Sequence, residues 1–84
     1  MSDDTGTRAQ DVLTYLVKSV VSDPDAVQVT SETGDGKVSL EVRVGPGDMG
    51  RVIGKRGRVA NAIRSVVSAA AAADDLRSEV DFED

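Results

Sequence analysis

Eighty-four residues make one small domain and leave no room for a catalytic core with a separate substrate domain. There is no Cys and no His, which excludes a disulfide framework, a thiolate site and imidazole chemistry, while 39% hydrophobic against 30% charged residues suits a folded chain rather than a disordered one. The net charge of −5 hides a pattern: residues 1–42 carry three cations against eight carboxylates, residues 43–73 six against one, and residues 74–84 one against six, so a basic centre lies between acidic flanks.

Residues 1–6 are polar and are expected to be flexible, with one domain filling residues 7–84. Thr7 and Gln10 have the spacing of a capping box. From Arg8 to Ser22 the apolar residues Ala9, Val12, Leu13, Leu16, Val17, Val20 and Val21 recur at helical spacing, and Asp23-Pro24 stops that helix. Val27 and Val29 alternate with polar neighbours as a strand, Gly34-Asp35-Gly36 marks a turn, and Val38, Leu40, Val42 and Val44 alternate as a second, half-buried strand, so the two form a hairpin. Gly45-Pro46-Gly47 ends it. A short helix is expected from about Pro46 to Ile53, burying Met49, Val52 and Ile53, with Asp48 as its cap. A longer helix starts near Arg58 with the apolar stripe Val59, Ile63, Val66, Val67 and Ala70, leaving Asn61, Arg64, Ser65 and Ser68 on the other face. After the Ala69–Ala73 run and Asp74-Asp75, Leu76, Ser78, Val80 and Phe82 alternate as a third strand. The order is α-β-β-α-α-β, an α+β domain with a three-stranded mixed sheet. The crossover makes its two strands parallel, and the helices pack on one face.

The strongest local feature is the stretch VIGKRGRVANAI, Val52 to Ile63. Two glycines bracket two cations between two helices. Glycine allows close approach of a ligand to the backbone and a positive φ. The helix that follows directs its free N–H groups at the same place. Together with Lys55 and Arg56 these parts suit a phosphate backbone. The bland alternative is a plain helix–helix turn with Gly54 as a C-cap.

Ile53-Gly54-Lys55-Arg56-Gly57, set inside a βααβ unit, resembles the GxxG loop of a KH domain, and the additional N-terminal helix and strand resemble the type II arrangement. The wider pattern IGxxGRxAxAIRxVV, with the likeness running from about Arg8 to Glu83, is similar to the small stand-alone bacterial KH proteins of the KhpA (YlqC) family. That resemblance implies a non-enzymatic single-stranded RNA-binding protein, a post-transcriptional regulator or RNA chaperone. Its GxxG loop would clamp the backbone of about four nucleotides. By matching positions, Gly54, Lys55, Arg56 and Gly57 form the clamp, Val52, Ile53, Val59 and Ala60 supply apolar groove surface, and Arg51, Arg58 and Arg64 are nearby phosphate partners. The acidic, short segment Asp74-Asp75-Leu76 departs from the family's groove-walling segment, which implies slight base selectivity. The resemblance also implies pairing, either with a second copy or with a larger KH protein (KhpB, also called Jag). Neither a cofactor nor a metal is expected.

Other readings are weaker. Gly45-Pro46-Gly47-Asp48-Met49-Gly50 matches GxGxxG, but a dinucleotide site needs an acidic residue about 20 positions on at the end of a second strand, and position 70 is Ala within a helix. A P-loop fails because Gly54-Lys55 is followed by Arg56 and Met49 stands at the first glycine position. The pairs Asp3-Asp4 and Asp74-Asp75 lie in polar segments as solvated charges rather than acid/base sites. Tyr15 and Phe82 are the only aromatics, too few for a reader that works by aromatic stacking. No apolar run approaches the ~18–20 residues of a membrane span, residues 1–11 do not read as a secretory signal, and a cytoplasmic location is expected. The rival function is protein pairing, suggested by the Ala/Ser-rich side of the longer helix. RNA binding predicts salt dependence that rests on Lys55 and Arg56; pairing alone predicts a concentration-dependent mass indifferent to them.

Overall fold

The computed structural model describes residues 7–83. The flexible segment expected over residues 1–6, and with it the Asp3-Asp4 pair, lies outside the described residues. Helix α1 runs from Thr7 to Val20 and buries Ala9, Leu13 and Val17. Their i, i+4, i+8 spacing stacks them on one face, with Val12, Leu16 and Val20 half-buried beside them. The predicted capping box is not made by Gln10. Its amide donates to the Val29 carbonyl (3.4 Å) and its carbonyl oxygen accepts from the Ser31 hydroxyl (3.0 Å), so the side chain ties α1 to the sheet instead of reaching back along the helix. Asp23-Pro24 ends the helix as expected, in a single 3-10 turn over Pro24–Ala26.

Strand β1 spans Gln28–Gly34 and pairs antiparallel with β2, Lys37–Arg43. Gly34 lies opposite Lys37, leaving a two-residue loop in which Asp35 and Gly36 take φ of 55° and 74°. A loop with both residues left-handed matches the twist of the flanking strands, and Asp-Gly is a favoured pair for it. β1 therefore runs four residues beyond Thr30, through Ser31, Glu32, Thr33 and Gly34, where no apolar alternation marked a strand. The third strand, β3 (Arg77–Glu83), pairs with β2 in parallel, so the sheet order is β1-β2-β3, with β2 central.

Register divides the sheet into two faces. Val38, Leu40 and Val42 lie opposite Ser78, Val80 and Phe82, and all point to the helices. Lys37, Ser39, Glu41 and Arg43 share the other face with Arg77, Glu79, Asp81 and Glu83. The core closes between β2, α1 and a helix α3 (Arg58–Ala72), which contributes Ile63, Val67 and Ala71. Val66, expected on the buried stripe, is 48% exposed; in an Ala-rich helix the buried face falls one position later, at Val67 and Ala71. The chain leaves α3 through Asp75 at φ 61°, with Leu76 N–H bonding Ala71 O and Asp75 N–H bonding Ala72 O, both at 2.9 Å, the pattern of a Schellman closure.

Candidate nucleic-acid interface

Between β2 and α3 the chain makes a turn at Pro46-Gly47 and a five-residue helix α2, Met49–Ile53. α2 starts three residues later than the expected Pro46, because Gly47 takes φ 84°. Gly54 closes α2 by bonding its N–H to Gly50 O at 2.9 Å, and Lys55–Gly57 forms a 3-10 turn leading into α3. Three of the four loop residues have positive φ: Gly54 at 69°, Arg56 at 55° and Gly57 at 79°. The two glycines are required for different reasons. A Cβ on Gly54 would sit 2.2 Å from Val59 Cγ2, so Gly54 is both conformationally and sterically fixed, whereas around Gly57 nothing comes closer than Asn61 Nδ2 at 4.0 Å. Gly57 thus leaves an open approach to the backbone at the head of α3.

Lys55, Arg56 and Arg58 are exposed, and among the described residues none of them pairs with a carboxylate. Arg51 differs: its Nε lies 3.3 Å from Asp48 Oδ1. Contrary to the expectation from the sequence, the Asp48 side chain does not cap α2; its carboxylate turns back to the end of α1. Oδ1 accepts from Ser22 N–H (3.1 Å) and the Ser22 hydroxyl (2.8 Å), and Oδ2 from Asp23 N–H (3.2 Å). Only 1% exposed, it is a latch between segments about 25 residues apart in sequence. The Ser22 amide and hydroxyl hold its carboxyl below the ordinary value of 3.8 against the opposing effect of burial, with help from the Asp23 amide and the Arg51 charge.

The expected groove residues separate. Ile53 and Val59 are half-buried at the loop, but Val52 is fully buried and Ala60 is 1% exposed, so both belong to the interior and offer no groove surface. Arg64 is exposed but does not stand free beside the loop. It donates from Nε to the Val80 carbonyl and from Nη1 to Asn61 Oδ1, both at 3.3 Å, and its guanidinium carbon lies 5.1 Å from the centre of the Phe82 ring. Gly57, Asn61, Arg64 and Ser68 follow the i, i+4, i+7, i+11 spacing of a single helix face. This face leads from the loop to an open cleft of about 750 Å³ between α3 and β3, lined by Arg64, Ser65 and Ser68 on one side and by residues 78–81 on the other. Sequence reasoning identified the polar face of α3 but not the cleft, because β3 forms its second wall.

A loop of the form Gly-x-x-Gly between the two helices of a βααβ crossover, preceded by a helix and a strand in the same sheet, defines a KH domain of the type II order. The comparisons agree: the family described as "KhpA/KhpB, KH domain" matches residues 10–82, and the chain belongs to that family. It is 48% identical over 71 residues to the RNA-binding protein KhpA of Clostridium acetobutylicum, covering 84% of this chain and 95% of that protein. It is 47% identical to the KhpA of Leifsonia xyli subsp. xyli over 72 residues (86% and 92% of the two chains), and 37% identical to that of Treponema pallidum over 78 residues (93% and 98%). No solved structure matches the chain. The GxGxxG reading has no support in the fold, since the helix after Gly47 is five residues long and Ala70 lies within α3.

Proposed function

We propose that this chain is a non-enzymatic RNA-binding module in which Gly54-Lys55-Arg56-Gly57 clamps the backbone of single-stranded RNA, with Ile53, Val59 and Arg58 beside the strand and the bases turned toward the α3/β3 cleft. The observation that carries this reading is the loop itself: three positive-φ residues hold an open backbone at the head of α3, amid three exposed cations without a carboxylate partner among the described residues. A KH loop grips about four nucleotides, which gives weak binding on its own. Pairing with a second copy or a second KH protein would raise the affinity by linking two sites. The exposed stripe Ala62, Val66 and Ala69 on α3, continued by Ala73 just past its end, favours such pairing as a second reading. The names of the relatives support RNA as the ligand; the role proposed with it is that of a cytoplasmic RNA chaperone or post-transcriptional regulator.

The test is fluorescence anisotropy with a pool of short single-stranded RNAs at low and physiological salt, comparing the native chain with a Lys55→Asp/Arg56→Asp variant shown by circular dichroism to be folded. Native binding should weaken with salt at a log–log slope of roughly −0.7 per phosphate contacted, and the variant should lose it. Equal binding by both chains would remove the clamp and leave pairing, seen as a concentration-dependent mass, as the function.

A further inference from the structure

We infer that Arg64 is a stacking shelf for an RNA base in the α3/β3 cleft, rather than the phosphate partner that its charge suggests; this rests on the RNA-binding reading above. Arg64 is held by three neighbours from three directions. Its Nε bonds the Val80 carbonyl on β3, its Nη1 bonds Asn61 one turn back on α3, and its guanidinium lies over the Phe82 ring. A cation over an aromatic face in this range is attracted by the ring, and the planar group is oriented by it. Phe82 lies against the guanidinium, with the central carbon 5.1 Å from the ring centre, and the Arg64 side chain is exposed, so solvent or a ligand can reach it.

The cleft supplies no other flat surface. Its lining holds three serines, Ser65, Ser68 and Ser78, and no aromatic residue. Guanidinium planes serve as stacking partners for unstacked RNA bases as aromatic rings do. Two of the five N–H donors of Arg64 are engaged with the protein; the remaining three lie in the guanidinium plane, clear of a base stacked on its face, and are left for acceptors on a neighbouring nucleotide.

Free charge separates the base from the phosphate. Arg64, the cation of the cleft, is engaged by Val80 and Asn61, while Glu79 and Asp81 on its β3 wall alternate onto the outer face of the sheet, where Glu79 pairs with Lys37. The loop a short distance away holds three exposed cations with no carboxylate partner among the described residues. Arg64 is seven residues along α3 from Gly57, about 10 Å at 1.5 Å per residue, within the reach of a strand gripped at the loop. The backbone therefore belongs at Lys55 and Arg56, and a base at Arg64. Stacking rewards ring area, so the shelf favours a purine over a pyrimidine.

The experiment uses octaadenylate and octauridylate with the native chain, with Arg64→Lys, which keeps the charge and removes the plane, and with Phe82→Leu, which keeps apolar bulk and removes the ring. A 2-aminopurine in place of a central adenine reports stacking directly by its quenching. The native chain should prefer octaadenylate and quench the probe. Arg64→Lys should lose roughly five- to tenfold in affinity for octaadenylate, little for octauridylate, and the quenching, with an unchanged salt slope. Phe82→Leu should move the same readouts in the same direction. The inference is overturned if Arg64→Lys keeps the adenine preference and the quenching, or if it weakens both RNAs equally and flattens the salt slope, the result for a phosphate contact. If the native chain binds neither RNA, the RNA-binding reading itself falls, whereas binding abolished by Lys55→Asp/Arg56→Asp but indifferent to Arg64→Lys removes the shelf alone.

Discussion

The outer face of the sheet and the Gly54–Gly57 loop carry the same kinds of cation and use them in opposite ways. On the sheet, Arg43 lies 3.2 Å from Glu83 directly across the β2/β3 register and Lys37 lies 3.3 Å from Glu79 on the diagonal, so the charges neutralise one another within the fold. At the loop, Lys55, Arg56 and Arg58 have no carboxylate within reach among the described residues, and the backbone beneath them adopts three positive φ values. A chain that needed only a helix–helix connection could make it with one glycine. The difference teaches that surface charge acquires a ligand-directed meaning from what is left unpaired and from the conformational strain accepted to keep it so.

The largest effect should come from breaking the loop at its fixed end. Gly54→Ala places a methyl 2.2 Å from Val59 Cγ2 at φ 69°, which combines overpacking with a left-handed backbone and should cost about 3 kcal/mol or more. Gly57→Ala has the positive φ but open space, and about 1 kcal/mol is expected. Urea titration of the two variants checks the ratio. Equal losses would mean that the Gly54–Val59 contact yields freely, and that the two glycines are interchangeable.

The latch beneath the loop makes a pH prediction. The Asp48 carboxyl is held below 3.8 in the fold, chiefly by Ser22. A carboxyl with a lowered folded-state pKa contributes stability that is complete above the unfolded-state value, and that is lost as pH falls through the folded-state value. Asp48→Asn should therefore be less stable than the native chain at neutral pH, and the two melting curves should converge as pH falls below about 4. A constant gap between them across that range would show that Asp48 acts by shape alone. The variant also frees Arg51, so it tests whether α2 depends on its attachment to the end of α1.

Element order, strand pairing and the loop were readable from the sequence because each rests on short-range information: apolar period, turn residues, and glycines bracketing cations. What was unreadable depends on distant partners. Ser31-Glu32-Thr33 looks like loop and is strand because β2 pairs with it across Asp35-Gly36. Asp48 and Gln10 have the spacing of local caps and bond instead to Ser22 and Val29. Val66, expected on the buried stripe, is exposed because an Ala-rich helix gives hydrophobicity little power to choose its buried face; Ala60, assigned to the groove by resemblance, is interior. Arg64 read as one more cation until β3 supplied Val80 and Phe82.

Arg56→Gly isolates the strain from the charge. Arg56 sits at φ 55°, ψ 33°, where a residue with a Cβ is disfavoured by about 1 kcal/mol, so the glycine should leave the fold equally stable or more so by up to that amount. The same variant should bind RNA more weakly, with the salt slope reduced by about 0.7, the value of one phosphate contact. Gain of stability with loss of binding would show that the strained arginine is kept for its ligand. Unchanged binding would reassign it to an ordinary turn.

The smallest effect is expected where the comparison is sharpest. Lys37→Ala/Arg43→Ala removes as many cations as the loop variant reverses, at half the change in net charge, from side chains whose partners are Glu79 and Glu83. Exposed pairs of this kind contribute roughly 0.2–1 kcal/mol each, so the melting temperature should move by only a few degrees. RNA affinity should change little at physiological salt, where the Debye length of about 8 Å screens distant charge, and somewhat more at low salt, where the more acidic chain repels a polyanion from farther away. The salt series therefore separates a long-range field from a contact. Loss from the sheet-face variant should fade as salt rises, while loss from Lys55→Asp/Arg56→Asp should persist. A sheet-face loss that persisted as strongly would place RNA on the back of the sheet and dissolve the distinction between the two surfaces.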